Sequence, residues 1–386
     1  MKREVWLDFL RVTACFLVMV VHSTEPFYLG GDGALILTPT DAFWVAVFEA
    51  VSRCCVPVFL VASAYLQFPL HYSTGEFFRR RAVRILVPML IWTVVYALAW
   101  GDPIQNFKGL LLNFNYAAGH LWFVYMLVGV YLIMPLLSPW AEKVSCRELE
   151  IYLGIWLVTT LFPFVREAAG GEAPLIQAAD GLPAPALFPL WGEASWNAYG
   201  LFYYVSGFFG YLLLGLYLRR FVENKRWVKL SGCTLFLLGF AAIFEGLLRR
   251  FSATSDVFPL SGPLGTAVAW EAPISFCGLP VVMTTVGLIL LFRSYPYTRT
   301  ESSLFYRKCI LPLSKAGYGM YLMHMLVLAS VSAALRNQWG LGTDGTLGVW
   351  TTPVQILLTA LITFVIVGAL AVVLQLIPKV GKWIMG

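Results

Sequence analysis

Long apolar runs separated by short polar and basic segments fill the chain from residue 6 to residue 377. A helix that crosses the hydrocarbon of a bilayer needs about 20 mostly apolar residues. Ten runs suit that length, near 6–27, 42–68, 85–101, 120–140, 149–166, 199–218, 230–248, 273–292, 310–335 and 351–377. The third is short and has Pro88 near its start, and the fifth is the least apolar. No fixed-period repeat and no inverted pair of broken helices is visible, which argues against an inverted-repeat transporter. The expected fold is all-α: a polytopic membrane bundle of about ten helices, forming one domain over residues 1–386.

Composition agrees with the pattern. Hydrophobic residues make up 59% of the chain and charged residues 12%, against roughly 25% charged in a soluble domain. So little charge cannot cover a water-facing surface, so lipid is part of the solvent. The first apolar run begins after Lys2 and Arg3 but carries Asp8, Arg11 and His22. No small-residue cleavage site follows it, so it reads as a retained helix rather than a secretory signal.

Charge then orients the bundle. If the N-terminus is cytoplasmic, Lys108, Arg166, Arg249, Arg250 and Arg336 fall outside and Arg11 and Arg53 lie within spans; the other 20 of the 27 basic residues are inside. That bias follows the positive-inside rule and places both termini in the cytoplasm, in a cell (plasma or inner) membrane. Topology accounts for the net charge of +6, which is no argument for nucleic acid. The seven cysteines show no metal-ligand spacing, and Cys54-Cys55 lies in an apolar run, so packing is expected there and neither a metal nor a structural disulfide. Two outer loops, 167–198 and 249–272, are rich in Pro and Gly.

Ionisable groups inside spans are costly, which makes them functional candidates. The first helix carries Asp8, Arg11, His22 and Glu25. Arg11 and His22 lie eleven residues apart, three turns plus about 20°, so they share a face about 16 Å apart along the axis. Asp8 is placed to reach Arg11, and Glu25 to reach His22. Snorkelling and bundle hydrogen bonding would also explain these groups; the shared face favours a lined passage. In FFRRRAVRILVP, Arg80 joins Arg81 and Arg84, and the latter two, three apart on a helix, should share a face suited to phosphate. An ordinary basic anchor is the alternative. Arg53 needs a carboxylate, with Glu25 the expected partner. His120 and Trp122 suit an interfacial aromatic belt. Tyr321 and His324, in SKAGYGMYLMH, fall mid-span, where a lone histidine is most often a satisfied bundle residue.

Taken together, these segments resemble acyltransferase family 3 membrane proteins. WLDFLRVTACFLVMVVHS is similar to the family's opening, with the R-x10-H signature at Arg11 and His22. VSRCCVPVFLVASAYLQF resembles its second helix, RAVR its R-x-x-R element, and HLWFVYMLVGVYLIMPLL and YGMYLMH its fourth- and ninth-helix motifs. The likeness runs in order from residue 5 to about 330. It is nearest to the polysaccharide O-acetyltransferase type, which includes the enzyme acting on enterobacterial common antigen. Ala64 stands where the family's SGYL-like segment carries Gly.

The resemblance implies transfer of an acyl group, usually acetyl, from cytoplasmic acyl-CoA to a hydroxyl of a glycan or lipid-linked saccharide beyond the membrane. Acetyl-CoA is then the donor substrate, with no metal. Arg11, Arg80, Arg81 and Arg84 would hold its phosphates. His22 would act as general base, or carry the acyl group as an acyl-imidazole, with Glu25 orienting it. Asp8, Arg53, His120, Trp122, Tyr321 and His324 would bind the acceptor or hold the site together. A glycan transporter or flippase, and a membrane sensor without turnover, are the competing readings.

Overall fold

The computed structural model describes residues 3–28, 36, 38–110, 113, 117–168, 199–223, 226–254, 272–297, 300–339, 352–378 and 381–386. Both loops singled out in the sequence, 167–198 and 249–272, lie largely outside these residues. The helices are α1 (Val5–Tyr28), α2 (Pro39–Ser52), α3 (Cys55–Gln67), α4 (Thr74–Arg81), α5 (Val87–Ala99), α6 (Pro103–Leu110), α7 (Trp122–Lys143) and α8 (Cys146–Thr159). They continue with α9 (Phe162–Ala168), α10 (Phe209–Arg220), α11 (Arg226–Thr254), α12 (Leu279–Ser294), α13 (Leu311–Trp339), α14 (Thr352–Gln375) and α15 (Gly381–Met385). The fold is a polytopic helical bundle with α1 at its centre, packed against α2, α3, α12, α13 and α14.

Local chemistry explains the breaks. Thr38 caps α2 in a capping box with Asp41, and Pro39 follows at the first helical position. Asp41 also accepts a hydrogen bond from the Thr352 hydroxyl, which joins the starts of α2 and α14. One apolar span covers Pro39–Gln67, yet it breaks at Arg53 and Cys54, because Pro57 has no N–H for the Arg53 carbonyl. π-helical turns, at Ala82–Leu86 and Tyr306–Ile310, each end two residues before a proline, Pro88 and Pro312. In each, the backbone N–H after the turn reaches back five residues, to Ala82 and Tyr306.

Among the described residues nine helical segments are long and apolar enough to cross a membrane. The difference from the ten expected lies at 199–218. That run forms a 3-10 turn, Gly200–Val205, and the 12-residue helix α10, which at about 18 Å is shorter than the hydrocarbon. Its residues are nonetheless buried from Gly210 to Leu216. The Trp156 indole donates to the Gly207 carbonyl at 2.8 Å and the Tyr217 hydroxyl to Glu150 at 2.8 Å. Thus α10 runs antiparallel to α8 and brings the chain back to the level where α8 begins.

One end of the bundle collects the cations. Arg219 donates to the Tyr65 carbonyl at 3.3 Å, Arg220 to Ala141, and Arg293 to Leu218 and Val222. These carbonyls belong to the last turns of α3, α7 and α10 and the residues just after, where helices leave acceptors unpaired and carry partial negative charge. The basic bias in the sequence is therefore a single face of the molecule.

Close helix contacts depend on missing side chains. Gly232, Gly239 and Gly246 recur every seven residues along α11. A Cβ on Gly239 would lie 2.7 Å from the Pro280 carbonyl oxygen, and one on Gly287 of α12 would lie 2.5 Å from the Phe236 nitrogen. This small-residue seam lets the α11 and α12 backbones touch. Ala64 makes a similar fit: a Cβ on Gly215 would lie 2.5 Å from the Ala64 methyl. Gly287→Leu should lower stability by about 1–3 kcal/mol. Thermal unfolding of the purified protein in detergent checks this, with Gly154→Leu unchanged because nothing lies within 4 Å of an added Cβ there.

Candidate active site

The site begins at the start of α1. Asp8 is buried and its carboxylate accepts from Arg3 Nε and Nη2, both at 2.7 Å, from Tyr306 at 2.7 Å and from Ser314 at 2.6 Å. Four donors leave that carboxylate fully engaged. The expected Asp8–Arg11 bond does not form, because Arg3, Tyr306 and Ser314 have already taken both oxygens. Arg11, one turn further on, has no hydrogen-bond partner among the described residues and turns to an internal cavity of about 760 Å³.

His22 lines the same cavity, as the eleven-residue spacing suggests. Its Nδ1 lies 2.6 Å from Glu25 Oε2. A carboxylate only accepts, so Nδ1 carries the proton and the Nε2 lone pair is left for other work. Pro26 follows four residues after His22 and supplies no N–H to its carbonyl, which loosens the helix at this point.

Three of the four histidines gather here. The His22 and His324 rings are 4.9 Å apart and the His324 and His120 rings 5.0 Å. His324 is wholly buried and its Nδ1 faces the Tyr321 carbonyl, so that nitrogen is the donor. Nε2 of both His324 and His120 is buried without a hydrogen-bond partner, so His324 is only half satisfied. His120 was expected at the membrane interface; it points inward instead and lines the cavity, because the 3-10 turn Gly119–Leu121 packs it against Tyr96 and Tyr321. Tyr321 donates its hydroxyl to the His120 carbonyl. Trp122 lines the cavity with Phe276, their rings 5.5 Å apart. No three His, Cys, Asp or Glu side chains among the described residues converge as a metal site would require.

Arg53 also reaches this end of the cavity. Its carboxylate is Glu49, not Glu25: Nη1 lies 3.6 Å from Glu49 Oε2, one helical turn earlier. Glu49 is buried and accepts from Thr24, while Arg53 Nε donates to the Ile274 carbonyl at 2.9 Å and its guanidinium covers the Phe276 ring.

The arginines of the basic segment separate. Arg81 lines the cavity, between the Phe77 and Tyr131 rings, and its Nε is buried without a partner. Arg84 is exposed and does not line it. The π-helical turn is the reason. Three residues no longer nearly complete a turn in a widened helix, so the face shared in an α-helix is lost. Arg80 is paired with Glu76 at 2.7 Å and stacked on Tyr72, outside the cavity. Lys315, Tyr318, Ser63 and Gln67 also line the cavity and carried no signal in the sequence beyond polarity within apolar runs.

The family model for acyltransferase family 3, described as an acyltransferase domain, matches residues 4–372. The nodulation protein NolL of Sinorhizobium fredii (strain NBRC 101917 / NGR234) is 26% identical over 175 residues, which cover 43% of this chain and 46% of that protein. No solved structure matches the chain. The family match runs from the residue before α1 into α14 and so takes in every element that lines the cavity: the chain belongs to acyltransferase family 3.

Proposed function

We propose that the protein is a membrane O-acyltransferase that moves an acyl group, acetyl in the simplest case, from cytoplasmic acyl-CoA to a hydroxyl of a glycan or lipid-linked saccharide on the far side of the membrane. One observation carries this reading. A single cavity has unpartnered guanidinium groups towards its basic end and an imidazole–carboxylate pair at the other. The basic end is taken as cytoplasmic, in a cell membrane with both termini inside.

Arg11 and Arg81 suit the donor's phosphates: both face the cavity, and fixed, unsatisfied guanidinium donors favour a polyanion. A flexible arm must then carry the thioester about 16 Å along α1 to His22. Glu25 holds the Nδ1 proton, so His22 Nε2 takes the proton of the acceptor hydroxyl. The oxygen attacks the thioester carbonyl and the C–S bond breaks. The thiolate leaves with the proton from His22, giving an ester and free CoA. Arg53 supplies positive charge where the oxyanion forms. Trp122 and His120 face the acceptor, and His324 and Tyr321 hold them in place.

The test is release of CoA by purified protein given labelled acetyl-CoA and a glycan acceptor. Release that needs both the acceptor and His22 supports the reading. Acceptor movement across vesicles without CoA consumption would replace it with transport. His22→Ala should lower kcat by about 10²–10⁴-fold with donor affinity retained; normal turnover in that variant rules out the assigned base. Arg81→Met should instead weaken donor binding by about 10–100-fold, read as a rise in the donor KM with little change in kcat.

A further inference from the structure

Between the guanidinium groups and His22, the cavity wall carries a polar row that the reaction above leaves unused. Ser63 and Gln67 lie one turn apart on α3 and both line the cavity, as does Tyr131 of α7. Gln67 Nε2 donates to Ser63 Oγ at 2.9 Å, and Ser63 Oγ lies 3.1 Å from the Tyr131 hydroxyl. The Tyr131 ring in turn sits under Arg81. One end of the Gln67 carboxamide is thus fixed. The other, Oε1, is buried with no hydrogen-bond partner.

A buried carboxamide left half satisfied costs about 1–3 kcal/mol unless a ligand completes it. The ligand group must match an amide. With Oε1 open it has to donate an N–H. If the carboxamide were turned over, the open NH₂ would need a carbonyl. A secondary amide supplies either. This row also adjoins Arg81, on the path from phosphate to thioester.

We propose that Gln67, oriented by Ser63 and Tyr131, is the subsite for an amide of the donor's pantetheine arm. This rests on the acyl-CoA reading. The arm has two secondary amides between its phosphate and its sulfur, and apolar residues such as Phe59 and Leu127 line the cavity beside the row. Gln67 thereby selects a donor with an amide-bearing arm over a simple acyl phosphate or alkyl thioester.

Calorimetric titration in detergent separates this claim from its parent. The probes are CoA, which carries the arm, and adenosine 3′,5′-bisphosphate, which lacks it. Gln67→Met keeps the side-chain volume and removes the amide. It should weaken CoA about 3–10-fold and leave the bisphosphate unchanged, whereas Arg81→Met should weaken both. If Gln67→Met weakens both probes alike, or neither, the subsite is overturned while the donor reading stands. If the wild-type protein binds neither probe, the donor reading falls and the subsite with it. Gln67→Asn, which withdraws the amide by one carbon, gives the same readout if the methionine variant fails to fold.

Discussion

At the first turns of α1 one buried carboxylate accepts four hydrogen bonds, and the arrangement of the cavity follows from that saturation. Asp8 joins Arg3 on its own chain segment to Tyr306 and Ser314 on the elements that lead into α13. With both oxygens occupied, it cannot also bond Arg11. The guanidinium is left to the cavity, and α1 is held to α13 in the rotation that places His22 beside His324. An aspartate that looks like a simple partner for Arg11 therefore acts to keep Arg11 unpartnered.

Charges within a low-dielectric bundle have to be paired or solvated. The protein uses both solutions and separates them by place. Asp8 and Glu49 are buried and held by partners on other elements. Arg219, Arg220 and Arg293 spend their donors on carbonyls at or just beyond helix ends. Arg11, Arg81 and His22 remain facing the cavity with donor or acceptor capacity to spare. Polar groups that serve the architecture are satisfied internally, and those left incomplete lie along one passage. Such incomplete groups are costly in the empty protein, which gives a bound anion or hydroxyl its favourable free energy.

The sequence was most informative where regular helix geometry held. Helical rotation alone placed Arg11 and His22 on one face, and the three-residue spacing brought Glu25 to His22. It was least informative where the helix departed from 3.6 residues per turn. The π-helical turn at Ala82–Leu86 separated Arg81 from Arg84, and nothing in RAVR marks a widened turn except the proline after it. The span at 199–218 was misjudged in length because apolarity does not distinguish a full crossing from a short helix buried on all sides. His120 was misplaced because proximity to Trp122 suggested an interface, while its position depends on packing against Tyr96, which is distant in sequence. The glycine seam of α11 was visible in the spacing of Gly232, Gly239 and Gly246, but only the partner helix shows why those positions stay bare.

The contact between α3 and α10 ties two distant positions into one steric unit. Between them there is room for a single methyl group, which Ala64 occupies and Gly215 leaves free. Substitution at either position is thus conditional on the other. A homologous chain with Gly at the first position is at liberty to carry Ala at the second, while Ala at both would force the helices apart. Covariation of this kind would record the α3–α10 contact in evolutionary divergence with no bearing on the chemistry of the cavity.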